Sequence, residues 1–254
     1  MSSSVSSSNV PLWLRPVFNG LSSMMLTSSR VERLRNADSI YRSCKEQASR
    51  HEFLTNLSIS KDSFLKKHQI ITLHVWFAHR YLMSRDEEGE AIKSQVYEYF
   101  WEDTERRLRG HGIKEISISK NLRDMQTATV SALRLIDEGV HAALYANEAS
   151  DEYDVEKLRE AVTTIFYGEG ESVDSKKTDA LVSYVLDELS ALSRMDAGDV
   201  FVGRFCWGEP PLATKEQIEA AQRSREDPWK PAIDVFGKEY WFHANTKEAR
   251  WEKP

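Results

Sequence analysis

Ile70-Ile71-Thr72-Leu73-His74-Val75-Trp76-Phe77-Ala78-His79-Arg80-Tyr81-Leu82-Met83 holds ten apolar residues in fourteen and decides how the chain folds. A helix with apolar groups nearly all the way round has no face for solvent, so other helices must surround it. Spanning a bilayer takes ~20 apolar residues, and this run is bounded closely by Lys66, Lys67 and Arg85. The segment therefore reads as the buried central helix of a helical domain.

Its sequence neighbour, Ala91 to Arg109, is amphipathic, with Ile92, Val96 and Phe100 at i, i+4 and i+8 and Tyr97 and Trp101 beside them. Glu102 with Arg106, Asp103 with Arg107, and Glu105 with Arg109 each put an acid four residues before a base. The helix dipole favours that order, and each such surface pair contributes roughly 0.2–0.5 kcal/mol. Gly110 and Gly112 then stop the helix.

Outward from this pair, Val31, Leu34, Ala37, Ile40 or Tyr41, and Cys44 predict a first helix from Arg30 to about Ala48. Residues 49–61 read as an irregular connection packed on the core, with Asp62 or Ser63 capping the central helix. Ser117 and Ser119 are candidate caps for a long helix from about Lys120 to Tyr145, whose inward stripe is Leu122, Met125, Thr129, Leu133 and Ile136. Gly139 inside it costs ~1 kcal/mol against alanine and so points to close packing or a bend. A fifth helix carries Val155, Leu158, Val162, Ile165 and Phe166; a sixth carries Leu181, Tyr184, Val185, Leu189 and Leu192. Val200, Phe201, Phe205 and Trp207 anchor a tail without clear helical spacing. Pro210 and Pro211 break the pattern, and Thr214 with Gln217 makes a capping box for a short polar spacer helix.

At 254 residues the chain can bury a sizeable core plus a small second domain. A net charge of −6 makes no global case for nucleic-acid binding. Cys44 and Cys206 match no metal or redox spacing and read as buried small apolar residues in a reducing compartment. Residues 1–30 are serine-rich, carry Arg15 and Arg30, and contain no acid before Glu32. That composition fits a mitochondrial targeting segment or a disordered tail.

No reaction centre is legible. His68, His74 and His79 are spaced around a helix rather than along one face, which makes them core or interface residues. There is no phosphate loop, strand-borne nucleophile or paired His/Cys cluster. Glu169-Gly170-Glu171 is read as a loop, and the acids as lying mainly on solvated helix faces. The chain is expected not to be an enzyme and to hold neither metal nor cofactor.

The last segment has a different character. Trp229 and Trp251 stand 22 residues apart, Tyr240 precedes Trp251 by 11, and Pro254 follows it by 3. Glu239 to His243 reads as a strand in which Tyr240 and Phe242 share one face, Trp241 and His243 the other. This spacing resembles a WW domain, a three-stranded sheet that takes proline-rich peptides. The resemblance implies that Trp229, Trp241 and Pro254 form its buckle and that Tyr240, Phe242 and Trp251 line its groove. His243 and Ala244 depart from the family pattern, so specificity for a tyrosine-containing proline motif is not implied. A patch docked permanently on its own helical domain or on another subunit is the other reading of this module.

Leu73-His74-Val75-Trp76 with His79-Arg80, Phe100-Trp101-Glu102-Asp103, Glu105-Arg106-Arg107-Leu108-Arg109 and Gly112-Ile113 run in a fixed order. Ile118-Ser119-Lys120, Asp124-Met125, Asp137-Glu138-Gly139, Leu181-Val182-Ser183-Tyr184-Val185 and Gly203 to Phe205 continue it. Over residues 31–207 this order resembles the ubiquinol-cytochrome c chaperone family. The resemblance implies a non-enzymatic assembly factor for respiratory complex III, in the mitochondrial matrix and peripheral to the inner membrane. Its implied partners are newly made cytochrome b or another complex III component, a small assembly-factor partner, and the mitochondrial ribosome. The alternative role is a structural or adaptor subunit of a respiratory complex or mitochondrial ribosome, docked through the WW-like tail. The expected architecture is thus mainly α: a targeting or disordered segment at 1–30, a compact multi-helix domain at 31–207, a linker with a short helix at 208–227, and a three-stranded antiparallel WW-like module at 228–254.

Overall fold

The computed structural model describes residues 15–59, 63–85, 87–144, 154–168, 174–217, 229–233, 239–243 and 249–252. The chain divides into two units, Met1–Pro211 and Leu212–Pro254.

The first unit is all-helical among its described residues: α1 Arg15–Ala48, α2 His51–Asn56, α3 Phe64–Met83, α4 Glu87–Gly110, α5 Glu115–Leu144, α6 Val155–Phe166, α7 Ser175–Ser193 and α8 Ala197–Phe201. α3 is the axis. Its stretch from Ile70 to Ala78 is buried without interruption, and α1, α4, α5, α6 and α7 all pack on it. Trp76, Phe77, Ile70 and Leu73 are among the core's least exposed side chains, with Phe100 from α4, Ile40 from α1 and Phe166 from α6. Each Leu, Ile or Phe so enclosed contributes about 1.5–3 kcal/mol of apolar burial, the driving term for this arrangement.

Local chemistry sets the helix ends. Ser63 Oγ accepts from the Lys66 amide at 3.2 Å to start α3. Asp154, Asp174 and Asp196 cap α6, α7 and α8 in the same way. α4 ends at Gly110, and Gly112 takes a positive φ of 76° just beyond it, a backbone state that a side chain would strain. Gly139 is a contact glycine: a Cβ there would lie 2.8 Å from Leu158 Cα, so the missing side chain is what lets α6 lie against α5.

Several boundaries differ from the sequence reading. α1 begins at Arg15, within the segment read as targeting or disordered, and α1 side chains are described from Arg30 onward. Among its described side chains the first buried one is Ala37, and Val31 is exposed. The connection after α1 contains the short helix α2, whose Phe53 is buried. α5 starts at Glu115, so Ser117 and Ser119 lie inside its first turns and cap nothing. Within the tail, residues 197–201 form α8, and Cys206 is exposed while Cys44 is fully buried.

From Gly203 the chain becomes an extended strap held to the helices. Gly203 has a φ of 78°, and a Cβ there would strike the Ser39 carbonyl carbon at 2.5 Å. Trp207 donates to Ser43 Oγ at 3.0 Å and stacks on Phe205 with ring centroids 4.6 Å apart. Arg50 pairs with Glu209, and Asn56 donates to the Pro211 carbonyl.

In the second unit, Thr214 and Gln217 exchange side-chain and backbone hydrogen bonds of 3.3 and 2.9 Å, the expected capping box. Three short strands, β1 Trp229–Ile233, β2 Glu239–His243 and β3 Ala249–Arg250, pair antiparallel in the order β1-β2-β3.

Candidate functional site

Asp103 of α4 is 3% exposed and accepts from the Tyr41 hydroxyl at 2.8 Å, Lys45 Nζ at 2.7 Å and Arg107 Nε at 2.8 Å. Read from sequence as one of three surface pairs, it is instead a buried hub joining α4 to α1. Arg106, expected to pair with Glu102, also reaches Asp103, at 3.3 Å. Glu105 and Arg109 form their surface pair as expected, at 2.7 Å. Burial works against an Asp103 carboxylate, but the hydrogen bonds from Lys45 and Tyr41 and the charge of Arg107 prevail and hold its pKa below the usual range. The same burial, with the Asp103 charge, pushes the Tyr41 phenol up. The signal was present in the sequence: continuing the apolar stripe of Ile92, Val96 and Phe100 by three or four residues lands on Asp103 and Thr104, both buried.

Arg107 extends the network to α3. Its Nη2 donates to Thr104 Oγ1 at 3.0 Å and lies 3.4 Å from His68 Nδ1. A guanidinium only donates, so Nδ1 must accept and Nε2 carries the proton, which it gives to Thr129 Oγ1 at 2.9 Å. His74 has the opposite tautomer. Its Nδ1 meets the Ile70 carbonyl at 2.8 Å and must donate, leaving Nε2 to accept from the Tyr184 hydroxyl at 2.9 Å. Burial first, and for His68 the Arg107 charge second, push their pKa values down to about 3 and about 4. These are core histidines, as the spacing implied.

Around Tyr184, Gln47 Nε2 donates to its hydroxyl at 3.3 Å and to the Gly208 carbonyl at 2.8 Å. The Gly208 amide donates to Glu188 Oε1 at 2.6 Å. Glu188, expected on a solvated face, is 2% exposed, and burial raises its pKa to about 7. The cluster ties the strap to α1, α3 and α7.

A cleft of about 450 Å³ opens where the last turns of α1 and α4 meet the first turns of α3. Ala48, Phe64 and Ile71 supply its apolar lining and Lys45, Lys67 and Arg107 its charges, with His111 edge-on to Phe64 at 5.0 Å. A second hollow of about 430 Å³ shares Lys45 and Ser49 with it and adds Arg42, Glu46 and Arg50.

The residues read as a peptide groove lie in the second unit. Tyr240 is opposite Ala232 and Phe242 opposite Lys230, alternate positions of β2, and Phe242 also pairs with Ala249 of β3. Trp251 directly follows β3 and is exposed. The side chains of Tyr240 and Phe242 lie outside the described residues, as do Pro254 and the turns between strands.

Every buried ionisable group named above is consumed in holding helices together. Among the described residues no cluster of three or more His, Cys, Asp or Glu is placed to take a metal, and no helix is long and apolar enough to cross a membrane. Fold and site together define, in the first unit's described residues, an all-helical body cross-braced by buried polar networks.

Residues 60–207 match the family described as Ubiquinol-cytochrome C chaperone, and the chain belongs to that family, one of assembly factors and not of enzymes. It is 26% identical over 177 residues to mouse ubiquinol-cytochrome c reductase complex assembly factor 1, covering 69% of this chain and 55% of the relative. The Xenopus laevis protein of that name is 26% identical over 188 residues, covering 70% and 82%. This chain thus spans about half the length of the mouse relative. The crystal structure of the Cbp3 homologue from Brucella abortus shares the fold, with a TM-score of 0.59 over 73% of this chain and 96% of that one, at 17% identity.

Proposed function

We propose that this chain is a non-enzymatic assembly factor for mitochondrial respiratory complex III that binds newly made cytochrome b, as a matrix protein peripheral to the inner membrane. The observation that carries this reading is the family match over residues 60–207, which takes in α3, α4 and the buried side chains of Asp103, His74 and Glu188. The names of the mouse and Xenopus relatives support complex III as the target. A small assembly-factor partner and a position near the mitochondrial ribosome belong to the same reading. Depleting the protein should lower mature complex III, and a tagged copy should retain pulse-labelled cytochrome b transiently. Normal complex III after depletion would refute it.

A second reading, a structural or adaptor subunit, draws support from the separate sheet-bearing unit and the exposed Trp251. In that reading the unit is a WW-like module, with Tyr240, Phe242 and Trp251 as its groove for a proline-rich segment. It expects stoichiometric, salt-resistant retention in a larger mitochondrial complex. Trp251→Ala and Tyr240→Ala should each abolish capture through the module while its strands still form; unchanged capture would remove the groove.

A further inference from the structure

The geometry points to the cleft between α1, α3 and α4 as a docking site for an acidic, apolar-anchored segment of a partner polypeptide. The choice of a polypeptide rests on the assembly-factor reading; the charge and shape do not.

In a chain of net charge −6, the residues lining this cleft include Lys45, Lys67 and Arg107 and no acid. Asp103 lies behind it and engages Lys45 and Arg107, but cannot neutralise both, and Arg106 adds a further cation to the hub. Among the described residues no carboxylate pairs with Lys67, which is exposed. α1 and α4 bring C-terminal ends and α3 its N-terminal turn, so the helix dipoles together leave about half a negative charge, less than the surplus of side-chain cations around the cleft. Side chains therefore set the sign of the field, and it is positive.

Shape selects an elongated occupant. Arg42, Lys45, Glu46 and Ser49 lie at i, i+3, i+4 and i+7, one face of α1, and run along both hollows. That ledge is about 10 Å long, the span of roughly three extended residues. Phe64 and Ile71 offer a seat for one apolar side chain, and Lys67 and Arg107 meet carboxylates beside it. Arg107 lies 5.4 Å over the Phe64 ring, so the cation and its apolar platform are already fixed relative to each other. Such preorganisation lowers the ordering cost of binding.

The test uses the full chain and a fluorescein-labelled pool of short peptides alternating Asp or Glu with Leu, Ile or Phe, against the same pool with Asn and Gln. Anisotropy should register binding of the acidic pool, weaker for the amide pool by about tenfold or more and weakening further as salt rises. Lys67→Glu, on an exposed side chain outside the hub, should weaken the acidic pool by about tenfold, and Lys67→Arg should restore it. Equal binding of both pools, or insensitivity to Lys67→Glu in a chain with unchanged circular dichroism, overturns the inference. So does preferential, Lys67-dependent binding of phosphatidylglycerol vesicles, which would make the ligand a lipid surface. Loss of complex III on depletion with no peptide binding would sink this inference alone; peptide binding with complex III intact would sink the assembly-factor reading alone.

Discussion

Arg107 holds Nη2 3.4 Å from Nδ1 of His68, a permanent cation facing an imidazole that is 1% exposed. The pair survives because His68 is neutral, and because Asp103, on the other side of the guanidinium, carries the compensating charge. Protonating His68 would set two cations together in the core.

That relationship makes the fold acid-labile. The ordinary histidine value of 6.5 is lowered to about 3 in His68 and about 4 in His74, chiefly by burial. A group depressed on folding gives stability that is complete above its unfolded pKa and is lost as pH falls toward the folded one. The two histidines should therefore add nothing to the pH dependence of the urea midpoint above about pH 7 and lower it steadily from there to pH 4, against the opposite contribution of the single Glu188 carboxyl. His68→Gln should lower the midpoint at pH 7.5 but shallow the slope below it; an unaltered slope would contradict this account.

Asp103→Asn tests the hub. Asparagine keeps one acceptor oxygen but leaves Lys45, Arg107 and Arg106 without their shared carboxylate; because Lys45 and Arg106 reach solvent, the cost is that of lost charged hydrogen bonds, about 1.5–3 kcal/mol. Chemical denaturation at pH 7.5 should register that loss. The wild-type contribution has its own acid limit, since a carboxyl held below its usual pKa loses its stabilising effect as pH drops through that depressed value.

Glu188 gives the opposite sign. Its pKa is raised from 4.5 to about 7 by burial, so its stabilising state is the protonated one, complete below 4.5 and lost as pH rises through 7. The Gly208 amide and Tyr184 both favour the charged carboxylate, but burial outweighs them. Glu188→Gln retains an acceptor for the Gly208 amide and removes the titration. The variant should melt higher than wild type at pH 8, by on the order of 3 kcal/mol at most, and show no gain at pH 5.

The helical body was legible because periodicity reports burial directly. Ile92, Val96 and Phe100 had to face inward, and the unbroken apolar run of α3 had to be enclosed. What escaped was polar chemistry in apolar company. Asp103 and Glu188 carry residue types that are almost never buried unless paired; the stripe pointed to Asp103, but its charge argued for solvent until its partners on α1 were in view. α2 was missed because six residues give too little periodicity, and the cleft because Lys45, Lys67 and Arg107 come from three helices whose adjacency no local pattern encodes.

Gly139→Ala separates helix propensity from packing. In an exposed helix the change gains up to about 1 kcal/mol, and a gain is what α5 alone would predict. Here the new methyl group would lie 2.8 Å from Leu158 Cα, a backbone atom that can yield only if α6 shifts as a body. Overpacking of this kind costs about 1–3 kcal/mol. The net outcome should be a loss, accompanied by slower-exchanging amides becoming faster in α6. Gly110→Ala is the control, because an added Cβ there meets nothing within 4 Å. If both variants were equally stable, the close approach of α6 to α5 would not be what fixes glycine at position 139.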